Sequence, residues 1–428
     1  MKKNLLLMMS VLLSFGMFSS CSSSDEPENG EMVINMLPKT RQIELTQEQK
    51  AFANKTTDFS FNLFRAVNQL SNDQKSSILS PISVAYVLGM LNDGAAGNTA
   101  KEITSVLGFG DGDAKAVNEF CQKLIDGAPQ ADPSVTLEIA NAVVSNKYLD
   151  VKFESQFQKD MKQYYDAEVT SLDFTKKTDA LRQINGWCKN HTKGMIPEIL
   201  SEKELSADAL LLLMNALYFK ATWTEKFDPK DTSKEIFTTE SGQQKEMPMM
   251  HRKAAASYCE NDVCAMLHLP YGSGDLWSME ILLPKEGKTV DDIINSLNAE
   301  SWRDLRSHGK SAVIDIKIPR FETTFETDLI QPLSSLGAPS MFDPFHAEFP
   351  HVSSNYKDNL YVGLMKQKAA IEVNEEGTKT SAVTVSEMLC GDFLISENSI
   401  FHANSPFVYV IHEFSSGVIF FIGTFQGD

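Results

Sequence analysis

Glu372-Val-Asn-Glu-Glu-Gly377-Thr-Lys-Thr-Ser-Ala382-Val-Thr-Val-Ser-Glu387-Met-Leu-Cys390-Gly-Asp-Phe393 is the stretch on which the reading turns. Glu375-Glu376-Gly377 breaks a β-like run and permits a turn. No Pro or Gly follows between Thr378 and Cys390, so this segment is able to form a strand. Strand side chains alternate between two faces. Thr378, Thr380, Ala382, Thr384 and Ser386 share one face and are all short, while Lys379, Ser381, Val383, Val385 and Glu387 share the other. A strand with a uniformly small face enters the middle of an existing sheet without overfilling the core beneath it. An ordinary edge strand or a long surface loop satisfies the same alternation. A connection approaching ~30 residues without structure is uncommon in a compact domain, and is usually functional.

The chain has 428 residues, 42% of them hydrophobic, with a net charge of −18. Such a chain holds one large domain or two or three average ones, and its acidity argues against nucleic-acid binding. Lys2 and Lys3, the apolar run from Leu5 to Phe18 and the closing Phe18-Ser-Ser-Cys21 read as a secretory signal, too short to span a membrane. The expected division is a signal over residues 1–20, a flexible polar tether over 21–47 and one domain over 48–428. Besides Cys21 there are Cys121, Cys188, Cys259, Cys264 and Cys390, an odd number that is no disulfide framework. Cys259 and Cys264 flank a four-residue connection and either pair or stay free. Cys121 and Cys188 read as apolar core residues, and Cys390 as the exposed thiol.

In chain order, a helix starts after Thr46 and runs to about Leu70. Ser76 to Pro81 is a short buried strand, and Ser83 to Leu91 is a helix. Leu137 to Lys147 is a strand and Phe153 to Tyr165 an amphipathic helix. Leu210 to Phe227 is an apolar strand carrying one amide, Asn215, which needs hydrogen-bond partners. Leu360 to Val373 reads as a long strand leading into the turn at Glu375. No Gly-x-Ser-x-Gly, His-Glu-x-x-His, P-loop or Cys-x-x-Cys is present, and the eight histidines lack ligand spacing. The chain is therefore not expected to be an enzyme, nor to hold a metal or cofactor.

The Glu-Glu-Gly-Thr turn, the small residues after it and Ser405-Pro-Phe-Val-Tyr-Val-Ile-His-Glu413 resemble the reactive-centre loop and flanking strands of the serpins. Ser80-Pro-Ile-Ser83, Met90 to Thr99, and Leu210 to Phe227 with Asn215 and Trp223 resemble further serpin segments in the same order, covering about residues 48–426. The resemblance implies an α+β fold with three β-sheets, eight to nine helices and an exposed reactive-centre loop at about 375–403. It also implies a suicide inhibitor of serine-type and papain-like cysteine proteases. The target cleaves the loop, stays attached as an acyl-enzyme and is distorted when the loop inserts into the central sheet. The implied partner is that protease, bound covalently to a monomer.

The resemblance assigns the hinge to Glu375, Glu376, Gly377, Thr378, Thr380 and Ala382, and the sheet-opening region to Ser80, Ser83, Asn215, Gln367 and Trp223. Family spacing places the reactive bond at Gly391-Asp392, with neighbouring alternatives at Leu389-Cys390 and Cys390-Gly391. No Lys or Arg lies between 380 and 400, which disfavours trypsin-like targets. Met388, Leu389 and Cys390 suit elastase-like, chymotrypsin-like or papain-like ones. Phe18-Ser-Ser-Cys21 resembles a bacterial lipobox, implying a lipidated Cys21 and an outer-membrane, surface-exposed lipoprotein. An ordinary signal peptide, with a periplasmic or secreted product, is the other reading. A non-inhibitory serpin or a surface-lipoprotein binding module remain as functional alternatives.

Where serpins commonly carry His-Lys-Ala, this chain has Gln367-Lys368-Ala369. Gln donates and accepts hydrogen bonds but does not protonate. A Gln367→His variant is expected to add a pH dependence near 6–7 to a thermal midpoint that lacks this contribution in the parent; identical pH profiles would refute it.

Overall fold

The structure is a computed structural model that describes residues 39–70, 75–110, 114–274, 276–356, 360–377 and 399–428. Among these residues lie nine α-helices. The first six are α1 (Gln47–Leu70), α2 (Pro81–Gly94), α3 (Gly97–Leu107), α4 (Ala114–Gly127), α5 (Ser155–Tyr165) and α6 (Lys177–His191). The last three are α7 (Val290–Ser296), α8 (Ala299–Ser307) and α9 (Ile330–Ser335). The strands begin with β1 (Ser77–Leu79), β2 (Thr136–Asn146), β3 (Glu168–Leu172), β4 (Leu211–Lys220) and β5 (Ser233–Thr238). They continue with β6 (Gln244–Glu260), β7 (Cys264–Tyr271), β8 (Trp277–Pro284), β9 (Lys310–Pro319) and β10 (Phe321–Asp328). The last four are β11 (Lys366–Val373), β12 (Ser399–His402), β13 (Phe407–Glu413) and β14 (Ile419–Phe425).

Three sheets result. The largest runs β1-β14-β13-β8-β7-β6-β9-β12, with β5 also paired to β6; a second is β3-β2-β4 and a third is β10-β11. β13 and β14 are buried at every position, the polar His412, Glu413 and Thr424 included. Helix α2 opens with Pro81, where a missing N–H costs nothing. It is apolar nearly all round and almost wholly buried, packed against β4 and β14. On the other face of β4, Leu212 and Met214 pack with Ala180 and Ile184 of α6 and with Leu200 and Leu205.

Several boundaries depart from the sequence expectation; β4 ends at Lys220, short of the expected Phe227, and α2 is longer at both ends than the expected Ser83 to Leu91. The long strand before the turn is regular only from Lys366. The helix expected from Phe153 starts at Ser155. The expected tether ends earlier than residue 47: Ile43 and Leu45 are buried, and the backbone of Arg41 and Ile43 bonds to Ala131 O and Ser415 Oγ. Ile43 and Leu45 alternate with the polar residues Gln42, Glu44 and Thr46, a strand-like signal too short to stand out. Cys259 and Cys264 are buried free thiols, because the register sets Cys259 opposite Met266 and Cys264 opposite Pro284.

A buried polar cluster crosses the largest sheet. Glu280 Oε1 accepts from His268 Nδ1 at 2.8 Å and lies 3.0 Å from His412 Nε2, which is 2.9 Å from Ser278 Oγ. Burial, reinforced by Arg306, pushes His412 down to about 4. Burial also works against the His268 cation, but Glu280 outweighs it and the His268 pKa is raised. The unfolded chain therefore protonates His412 first, and stability falls as pH drops from the ordinary 6.5 towards 4. His268 acts oppositely, its contribution being complete below 6.5 and lost as pH rises through its raised value. We expect the thermal midpoint to fall between pH 6.5 and 4, with a loss on the order of 3 kcal/mol; a His412→Gln variant should show a flatter profile there, checked by circular dichroism melts.

Candidate functional site: a cleft between two parallel strands

β4 pairs β2 on one side and β11 pairs β10 on one side; among the described residues no ladder joins β4 to β11. The two strands run the same way. The start of β11 is tied near the chain that enters β4, since Lys366 Nζ lies 2.7 Å from Glu204 Oε1. Their ends meet where Trp223 N donates to Glu376 O at 3.1 Å. Between them lies a cleft of about 480 Å³, lined by residues of both strands. Leu211, Leu212, Leu213 and Met214 are only half-buried although they form an unbroken apolar run at the start of β4. Each bank thus turns unpaired backbone groups and apolar surface towards the other, the condition that invites a strand.

At the head of the cleft the chain reverses. Asn374 and Gly377 exchange backbone hydrogen bonds in both directions at 3.1 Å around Glu375 and Glu376. Gly377 also bridges Thr222 in antiparallel fashion. It therefore stands between the two banks. Its φ is +112°, and a Cβ there would come within 2.5 Å of Trp223 N and 2.6 Å of Ala221 O. Close backbone approach, and not freedom alone, requires glycine.

The turn is anchored on all sides. Trp223 is buried and stacked on Tyr271 at 4.4 Å, and its Nε1 donates to Asn374 O at 2.9 Å. Phe227 N donates to Glu375 O. The Glu375 carboxylate accepts from Thr232 Oγ1 at 2.7 Å and from Arg320 Nε at 3.1 Å. Burial works to raise the Glu375 carboxyl, and the bonds from Arg320 and Thr232 outweigh it, holding it below the usual carboxylate range. Lys226 Nζ meets Glu376 Oε2 at 2.6 Å.

Of the sheet-opening residues expected from sequence, three come together. Gln367 Oε1 accepts from Ser80 N at 2.8 Å, its Nε2 donates to Ser80 O at 2.9 Å, and Ser80 Oγ lies 3.0 Å from Ser83 Oγ. The two hydroxyls bond each other, and Ser80 makes no side-chain cap to α2; the amide of Gln367 serves the backbone instead. Asn215 stands on the opposite bank. Its Nδ2 donates to Asn141 Oδ1 at 2.9 Å, and its buried Oδ1 has no hydrogen-bond partner among the described residues. Trp223 is at the head of the cleft, apart from both. Thr378, Thr380, Ala382, Leu389, Cys390, Gly391, Asp392 and Cys21 lie outside the described residues. Arg320, Thr232 and Glu204 were missed by sequence reasoning, since single polar residues on connections carry no periodic signal.

The geometry is that of two sheets whose edge strands, β4 and β11, face each other across a cleft with no described strand between them. A family model described as serpin (serine protease inhibitor) matches residues 54–426, and the chain belongs to the serpin family. It is 31% identical over 388 residues to the leukocyte elastase inhibitor of Equus caballus, covering 89% of this chain and 99% of that protein. Among solved structures, the native thermophilic serpin Tengpin superposes with a TM-score of 0.78 at 26% identity, covering 90% of this chain and 95% of that one. Human thyroxine-binding globulin in complex with its hormone gives 0.78 at 25% identity, covering 88% and 98%.

Replacing Gly377 by Ala forces a left-handed residue against the Trp223 backbone. A Gly377→Ala variant is expected to lose about 1–3 kcal/mol, read as a lower thermal midpoint; an unchanged midpoint would show that the turn is not made as described.

Proposed function

We propose that this chain inhibits proteases as a suicide substrate, with the cleft between β4 and β11 receiving its own loop. The observation that carries the reading is Gly377, bridged to Asn374 on one bank and to Thr222 on the other. An antiparallel ladder steps its two chains in opposite directions. Continued from Gly377, it would set residue 378 between Ala221 and Val373, 380 between Phe219 and Ile371, and 382 between Leu217 and Ala369. Ala221, Phe219, Ile371, Ala369 and Val373 are all buried on the main-core side. The short side chains of Thr378, Thr380 and Ala382 suit that layer, and Lys379 would face away from it. Residue 384 would stand between Asn215 and Gln367, which accounts for two family network residues lying on opposite banks.

In this reading the protease nucleophile attacks the carbonyl before the scissile bond and forms an acyl-enzyme, and the amine of the next residue leaves. Insertion then competes with hydrolysis of the acyl bond. The driving force is completion of the sheet: ladder bonds on both flanks, each worth about 1 kcal/mol net, and cover for the half-exposed leucines of β4. The reactive bond we favour is Gly391-Asp392, with Leu389-Cys390 and Cys390-Gly391 beside it. The targets are elastase-like, chymotrypsin-like or papain-like enzymes. Lipidation at Cys21 would hold the inhibitor at a bacterial outer membrane.

Protein lacking residues 1–21, mixed with pancreatic elastase, neutrophil elastase, chymotrypsin or papain, should give a denaturation-resistant adduct at the summed mass and release a C-terminal peptide. Cleavage by all four with neither an adduct nor a rise in thermal midpoint would overturn the proposal. A Thr380→Arg variant would bring a charge to a buried position at a cost of several kcal/mol. It should be cleaved as an ordinary substrate; full trapping would refute the register.

A further inference from the structure

At the foot of the cleft, Lys366 opens β11 with its side chain only 10% exposed. Its neighbour Gln367 points to Ser80 beneath the sheet, so by strand alternation Lys366 points to the opposite face, the one that α6 covers. There Lys366 Nζ binds two carboxylates, Glu204 Oε1 at 2.7 Å and Glu326 Oε1 at 2.8 Å. The two acids belong to different banks. Glu326 is on β10, the partner of β11, and its other oxygen meets Lys368 Nζ at 3.3 Å. Glu204 lies on the connection from α6 to β4, across the cleft. It is aimed by Ser201, whose N and Oγ donate to Glu204 Oε2 at 2.8 and 2.6 Å. Lys366 first, and then Ser201, hold the Glu204 carboxyl down to about 2, so the bridge is ionic throughout the neutral range. Next to it, Leu364 packs against the cluster that contains Leu200 and Leu205, pressing the same connection onto the start of β11.

We propose that Lys366–Glu204 is a strap across the α6 face of the cleft foot, and that these are positioning residues that set how fast an entering strand completes its passage. The inference rests on the strand-acceptance reading above. Lys366 can release Glu204 without losing its charge partner, because Glu326 remains on its own bank, so the contact can open and close repeatedly. Glu204 has its own second support in Ser201 and is not left bare when the strap opens. A pair with a spare partner on each side is suited to a reversible tie, whereas an isolated buried pair would be costly to break.

The test uses a synthetic peptide of residues 378–388 annealed to intact protein, followed by the rise in thermal midpoint and by native gel shift. Glu204→Gln keeps the bond from Ser201 and removes the charge, and should speed annealing about tenfold, the factor expected from losing one charge-assisted hydrogen bond. Glu326→Gln removes the partner on the same bank and leaves the strap intact; it should anneal at the parental rate or more slowly. Lys366→Gln should match Glu204→Gln, and the double variant should add nothing further. Equal rates in the parent and Glu204→Gln would overturn the strap alone. Acceleration by Glu326→Gln to the same extent would also overturn it, assigning the effect to general loosening. No annealing in any protein, the parent included, would overturn the strand-acceptance reading and the strap with it.

Discussion

Unpaired backbone on two facing strands is the constraint from which the rest of this structure follows. Among the described residues, β4 and β11 each complete one ladder and have no partner strand on the other edge, and they run in the same direction. Parallel strands a full strand apart cannot satisfy one another; a third strand running the other way satisfies both. Gly377, after the turn at Glu375 and Glu376, bridges Asn374 on one side and Thr222 on the other, the two contacts from which the proposed register is counted. The cleft is therefore polar along its edges and apolar on its floor.

The head and the foot of the cleft are built differently. At the head the ties are mostly backbone bonds, backed by a buried indole stacked on Tyr271 and by the carboxylate of Glu375, which has little exposure. Such contacts are directional and hold one geometry. At the foot the tie is a charge bridge between flexible side chains with an alternative partner at hand. In the proposed mechanism, rigidity at the head would fix the register in which a strand begins, and the looser foot would let the banks adjust as it advances. Between them Gln367 secures the entry to α2 through both backbone groups of Ser80, so the floor of the cleft stays in place.

Much of this was legible in the sequence because it rests on periodicity. The alternation of short residues from Thr378 to Ser386, the apolar run at the start of β4 and the break at Glu375-Glu376-Gly377 are local patterns, and each has a local physical meaning. The strand boundaries at Lys366, the helix start at Ser155 and the early anchoring of Ile43 were not legible, since neighbours distant in sequence decide where regular pairing begins.

By itself the sequence determined several of the strands, those of β1, β2, β4 and β11 among them, which face of the loop segment is small, and that Gly377 marks a turn. It could not determine that Asn215 and Gln367 stand on opposite banks, that Arg320 and Thr232 hold Glu375, or that Lys366 reaches Glu204 across the cleft. Those are contacts between residues separated by 55 to 162 positions along the chain. Local propensity carries no information about them. They exist because two half-sheets, each complete on one side, are brought face to face by the helices packed beneath and above them.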